Sequence, residues 1–147
     1  MNTKKLKTIA ISGGFDPVHV GHVRLMQDAK AMGDRLIVII NNDNWLKQKK
    51  GYVFMPEQER AAVIKAIKYV DDVIITSHPE DFQDISVCYE LEQLKPDIFA
   101  NGGDRKADNI PEYQLCEKLG IEMIFNVGGG KAQSSSDLVK RVKAVST

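Results

Sequence analysis

Apolar residues run along the chain in two alternating rhythms. Ile9-Ala10-Ile11 is a short unbroken apolar run, and Arg35–Ile40 (RLIVII) is a continuous β-branched run typical of a strand covered on both faces. Between them Val20, Val23, Met26, Ala29 and Met32 recur every three residues, as on one face of a helix, and Gly33 stands where a helix usually stops. MPEQERAAVIKAIKYV, residues 55–70, predicts a helix, with Pro56 suited to its first turn and Glu57 and Glu59 to its positive end. DDVIIT (71–76) predicts a third strand. Ile85, Cys88, Leu91 and Leu94 mark another helix face, stopped by Pro96. DIFAN (97–101) predicts a fourth strand, 111–119 a helix ending at Gly120, and IEMIFNV (121–127) a fifth strand. SSSDLVKRVKAV (134–145) closes the chain as a helix with a serine as its N-cap.

Strands separated by helices build right-handed βαβ units around a parallel sheet. The expected fold is therefore α/β, a Rossmann-like doubly wound five-stranded parallel sheet, in a single domain over residues 1–147. Such sheets bind ligands beyond the carboxyl ends of their strands. The segments expected there are the loops GGFDPVHVGH, NNDNWLKQKKGY, TSHPEDFQD, NGGDRKADN and VGGGKAQSSS. Four of the five are rich in glycine, lysine, histidine or hydroxyls, so the chemistry-bearing residues gather on one rim. His78, in the third, reads as an ordinary loop residue.

Composition narrows the classes. The 147 residues are 43% hydrophobic and 27% charged, with 20 basic and 20 acidic side chains. That is ordinary for a soluble globular domain, and the neutral balance argues against a nucleic-acid partner. No apolar stretch is long enough to span a bilayer, and the basic N-terminus is followed by too short an apolar run for a signal peptide. Cys88 and Cys116 lack metal-like spacing and read as reduced, buried, small hydrophobes. The expected location is cytoplasmic.

The densest chemistry lies in SGGFDPVHVGHVRL, Ser12–Leu25, where a strand hands over to a helix. Gly13 and Gly14 permit a turn that side chains would block. A helix start offers free N–H groups and a partial positive charge, which suits a phosphate. A lone histidine near a helix start is ordinarily a cap or a solvated residue. His19 and His22, three apart on one face with Gly21 between them, point instead to two donors for one anion. Two histidines at this spacing can also ligate an ion, but no third His or Cys stands nearby.

GGFDPVHVGH resembles the signature T/G-x-F-D-x-x-H-x-G-H of the cytidylyltransferase-like nucleotidyltransferase superfamily. That group includes glycerol-3-phosphate cytidylyltransferases, archaeal-type FAD synthetases and the adenylyltransferase domain of ADP-heptose synthesis. KQKKGY (47–52) and EQERAAVIKAIKYVDDVI resemble the glycerol-3-phosphate enzymes. NGGDR (101–105) resembles the heptose-type domain, and QSSS (133–136) stands where the family has I-S-T-T. The resemblance implies that an acceptor phosphate attacks the α-phosphate of a nucleoside triphosphate, CTP or alternatively ATP, releasing pyrophosphate. It implies catalytic roles for His19, His22 and Lys47. It implies nucleotide contacts from Gly13, Gly14, Phe15, Asp16, Gly21, Gly102, Gly103, Asp104, Ser134, Ser135 and Ser136, and acceptor contacts from Trp45, Lys49, Lys50 and Arg105. Asp16 can alternatively order the first loop. Mg²⁺ is expected as cofactor, held by phosphate oxygens and water, with no protein metal ligands. The expected acceptor is a small phosphorylated compound, glycerol 3-phosphate or a similar polyol phosphate with CTP, or a sugar 1-phosphate with ATP. A homodimer is expected by analogy.

Two departures stand out. GGKA (129–132) lacks the arginine of the cytidylyltransferases' R-T-x-G, and Lys68 replaces their R-Y-V-D arginine. Two other classes compete with the transferase: a nucleotide-sensing module, which would tolerate loss of the histidines, and a metal-dependent hydrolase using His19, His22 and Asp16.

Overall fold

The computed structural model describes residues 5–103, 111–129 and 135–145. Five parallel strands form one sheet in the order β3-β2-β1-β4-β5. They are β1 (Thr8–Gly13), β2 (Arg35–Ile40), β3 (Asp72–Ile75), β4 (Ile98–Ala100) and β5 (Glu122–Ile124). The helices are α1 (Val20–Lys30), α2 (Asp43–Lys50), α3 (Glu57–Lys65), α4 (Cys88–Leu94), α5 (Glu112–Leu119) and α6 (Ser135–Val145).

The order explains where a ligand can enter. The chain builds β1, β2 and β3 outward in one direction, then returns to lay β4 on the other side of β1. The loops after β1 and β4 therefore diverge and leave a crevice at this switch point.

Strand alternation sorts the core into two layers. Ile9, Ile11, Val38 and Ile40 pack with Met26 and Ala29 of α1 and Ile64 of α3. Ala10, Ile39 and Phe99 pack with Leu91 of α4 and Cys116 of α5. Ile9, Ile11, Ile39 and Ile40 have no exposed surface, and burying each contributes roughly 1.5–3 kcal/mol. The layers make the sheet a rigid platform for the rim.

Several expectations shift. NNDNWLKQKKGY is not a loop, because residues 43–50 form α2. Its N-cap Asn42 accepts from Trp45 N, and Gly51 ends it at φ 82. Only Leu46 of this helix is buried, so no apolar stripe announced it. The fourth helix begins at Cys88 rather than near Ile85, which is exposed. Strand β5 is three residues long, and Asn126 turns the chain away with φ 59. Cys116 is buried and Cys88 half-buried, and both are free thiols. Burial pushes the Cys116 thiol up to about 11, which keeps it unreactive. Among the described residues, no helix is long and apolar enough to cross a membrane.

Candidate active site

The histidine pair occupies the start of α1, and each ring is fixed by the backbone of that helix. His19 is the N-cap, and its Nδ1 accepts from Gly21 N at 3.1 Å. His22 reaches back, and its Nδ1 accepts from His19 N at 3.2 Å. This is a reciprocal capping box, with histidines where Ser/Thr and Glu usually stand. The rings stack with centroids 3.8 Å apart and planes 23° from parallel. Phe15, buried beneath, meets the His22 ring edge-on at 4.8 Å. Capping and anion binding, set against each other by the sequence, are thus compatible: capping aims the rings.

Hydrogen-bond direction assigns the tautomers. A neutral imidazole whose Nδ1 accepts must carry its proton on Nε2. Both rings therefore carry their proton on Nε2. Burial, aided by the neighbouring His19 and the Lys50 charge, lowers the His22 pKa to about 3. At neutral pH His22 is uncharged, and it is a donor by tautomer. Gly21 makes the stack possible, since a Cβ there would lie 2.9 Å from the His19 ring.

Asp16 has no exposed surface. Its carboxylate accepts from Phe54 N at 2.7 Å and Met55 N at 2.6 Å. It ties the first loop to the segment before α3 and offers no face to a nucleotide, so the loop-ordering alternative describes it. Arg60, fully buried in α3, does related work. It donates to Gly14 O at 2.7 Å, Asn41 O at 2.6 Å and Met55 O at 2.8 Å, and pairs with Asp43 Oδ1 at 2.7 Å. One guanidinium thus gathers the ends of β1 and β2 and the start of α2. Nothing in EQER by itself assigns Arg60 this role; the available signal is a charged residue four positions before Ile64 on the buried face of α3.

The lysines of α2 divide. Lys47 and Lys49 are exposed, whereas Lys50 is half-buried. Burial holds the Lys50 ammonium below the usual lysine range, with Asp16 countering and Arg60 adding to the depression. Lys50 is the α2 lysine whose charge depresses His22.

Trp45 donates Nε1–H to Ile85 O at 3.0 Å, which makes it a brace for the 77–87 segment. His78 is more than a loop residue. Its Nδ1 lies 2.7 Å from Thr76 Oγ1, its Nε2 lies 3.1 Å from Ser86 O, and its carbonyl accepts from both Asn42 Nδ2 and Asn44 Nδ2 at 2.9 Å.

On the other side of the switch point Gly102 and Gly103 follow β4, and a Cβ on Gly102 would meet nothing within 4 Å. Gly128, at φ 87, passes so close to α1 that a Cβ would lie 2.9 Å from the Leu25 backbone. Ser135 donates Oγ–H to Pro17 O at 2.7 Å, so the start of α6 is pinned to the first loop. Ser136 follows in the first turn of α6. Asp104, Arg105 and Ser134 lie outside the described residues. Among the described residues, no three His, Cys, Asp or Glu side chains gather to hold a metal ion.

Comparison with known proteins places the chain in a family. A family model described as Cytidylyltransferase-like matches residues 10–128. A FAD synthase of Pyrococcus horikoshii is 39% identical over 84% of this chain and 80% of its own length. The bifunctional protein HldE of Syntrophotalea carbinolica is 31% identical over 92% of this chain, which spans only 27% of that longer protein. The solved structure of a lipopolysaccharide core biosynthesis protein from Thermoplasma volcanium superposes with a TM-score of 0.65 at 25% identity, covering 82% of this chain and 96% of that one. The chain belongs to the cytidylyltransferase-like family of nucleotidyltransferases.

Proposed function

We propose that this protein is an adenylyltransferase. A phosphate oxygen of an acceptor bonds to the α-phosphorus of ATP as the bond to the β-phosphate oxygen breaks, and pyrophosphate leaves. The observation that carries this reading is the stacked histidine pair at the start of α1, with both Nδ1 atoms satisfied by backbone N–H. The nucleophile is already an anion, so no general base is required. The demand is charge neutralisation at a five-coordinate phosphorus.

His19 and His22 act as neutral donors to the phosphates beside the α1 N-terminus. Lys50 supplies the positive charge first expected of Lys47. Gly102 and Gly103 leave open backbone for the nucleoside, and Ser136 lies where the triphosphate tail would pass. Phe15, Gly13, Gly14 and Gly21 shape the loop rather than touch the ligand. Mg²⁺ would arrive on the triphosphate, held by its oxygens and water, and would offset charge on the departing pyrophosphate. The acidic side chains nearest the pair are already engaged by backbone and Arg60, which suits a metal carried by the nucleotide.

ATP is favoured over CTP because FAD, the product named for several relatives, carries an adenylyl group. CTP with glycerol 3-phosphate, the leading expectation from the sequence, has less support. Pyrophosphate release with each nucleotide and a panel of phosphorylated acceptors tests the choice. ATP is expected to support turnover at least tenfold faster than CTP. Equal or faster turnover with CTP would overturn the adenylyl assignment.

A further inference from the structure

We infer that Asn41 touches the acceptor: its carboxamide oxygen receives an O–H or N–H of that substrate and fixes the side from which the phosphate attacks. The inference rests on the adenylyltransferase reading above and adds a residue to it.

Asn41 directly follows β2 and is 3% exposed. Its backbone is held on both sides. Asn41 N donates to Gly13 O at 2.9 Å, and Arg60 Nη1 donates to Asn41 O and Gly14 O at 2.6 and 2.7 Å. The side chain is not held. Asn41 Oδ1 is buried and has no partner among the described residues. Its polar neighbours are engaged. Asn42 Oδ1 accepts from Trp45 N, and Asn42 Nδ2 donates to His78 O. Thr76 Oγ1 accepts from Asn42 N and lies 2.7 Å from His78 Nδ1. An amide oxygen that has lost water and gained no donor costs stability, whereas an apolar side chain of similar volume would not. A group kept at such a cost calls for a ligand.

Two other places compete for the same role. Glu112 Oε2 is also buried without a partner, but Glu112 Oε1 accepts from Val87 N at 3.1 Å and anchors that carboxylate where α4 meets α5. Farther out, α2 and the segment after β3 border an open groove lined by Asn44, Lys47, Gln48, Glu80 and Asp81 among others. Lys47, Gln48, Glu80 and Asp81 are exposed and meet water. Asn41 differs from both: it is shut away from water, and it stands beside the loop that carries the histidine pair.

Strand alternation gives the direction. Ile39 belongs to the α4–α5 layer, and Asn41, two residues on, projects from the same face. The helix that begins at the histidine pair, α1, packs on the opposite face through Met26 and Ala29. Ser135 ties the start of α6 to Pro17 in the loop that leads to α1. The entering and leaving oxygens of a phosphoryl transfer stand roughly in line. Pyrophosphate leaving toward α1 and α6 therefore requires entry from the α4–α5 side, which is the side of Asn41.

The test is pyrophosphate release with ATP and Mg²⁺ by wild type, Asn41→Leu and Asn41→Ala, with glycerol 3-phosphate, glucose 1-phosphate and flavin mononucleotide as acceptors. Urea unfolding of the ligand-free proteins runs beside it. For the acceptor that wild type turns over, Asn41→Leu should raise KM about tenfold, with KM for ATP nearly unchanged. Its urea midpoint should equal or exceed that of wild type, because no bond within the fold is lost. Asn41→Ala cannot clash, so its KM shift decides the matter if Asn41→Leu unfolds. An acceptor KM unchanged in both variants overturns the inference while the adenylyltransferase reading stands; a lowered midpoint beside it assigns the amide to a buried water. A KM for ATP raised as much as that for the acceptor overturns it too. Absence of turnover by wild type on every acceptor overturns the adenylyltransferase reading and this inference together.

Discussion

The histidine rim and the outer groove are neighbours built by opposite means. At the rim the polar groups are half-buried or buried and bonded to backbone: His19 and His22 to the α1 start, Asp16 to residues 54 and 55, and Arg60 to three carbonyls. In the groove Lys47, Glu80 and Asp81 are exposed, and the amides of Asn44 and Gln48 brace a loop. Backbone-anchored groups cannot drift, which suits a reaction whose geometry must be held. Exposed side chains on a short helix and a loop are held by few contacts and tolerate exchange better than buried ones.

The comparison breaks first at Arg60. Arg60→Met removes four bonds and leaves Asp43 with a lost partner, at an expected cost of about 3–5 kcal/mol in urea unfolding. Arg60→Lys should recover little, because an ammonium cannot reproduce the fork. A loss below about 1 kcal/mol would mean that the rim is held elsewhere. His22→Ala tests the chemistry of the same region. It should lower kcat by about 10²–10³-fold, as loss of a preorganised donor does, with circular dichroism unchanged.

A smaller effect follows from the His22 titration. The unfolded imidazole takes up a proton below about pH 6.5, whereas the folded one stays neutral down to about 3. The unfolded state thus binds more protons across that window, and stability falls as pH drops through it. His22 should account for a loss of about 2 kcal/mol between pH 7 and pH 5, read as the difference between wild type and His22→Asn in urea unfolding. Parallel pH dependences would contradict the buried neutral ring.

The smallest effect belongs to the groove's support. His78→Ala removes the links to Thr76 and Ser86 and should cost about 1–2 kcal/mol in thermal unfolding, with kcat at saturating substrate nearly unchanged. A kcat loss as large as that of His22→Ala would erase the distinction between rim and groove.

Elements with a strong period were readable. Ile9–Ile11, Arg35–Ile40 and the stripe through Met26 and Ala29 each bury one face or both, and burial writes itself into the spacing of apolar residues. Helix α2 was not readable, because it buries only Leu46 and its charged surface looks like a solvated loop. The same gap hid the difference among Lys47, Lys49 and Lys50, which identical letters within four positions cannot express. Ile85 fitted a helix face by spacing, yet it is exposed and its carbonyl braces Trp45. That contact spans 40 residues and leaves no local trace.

The residue order alone was sufficient for the α/β class, the parallel sheet, the family and the placing of the histidine pair at the β1–α1 junction. Periodicity, turn chemistry and a short signature all act over a few residues. The direction of each imidazole proton, the burial of Asp16 and Arg60, and the half-burial of Lys50 beside exposed Lys47 and Lys49 came from folding. Each depends on groups from separate elements meeting in a shared dielectric, and such meetings are set by packing rather than by neighbours in the chain.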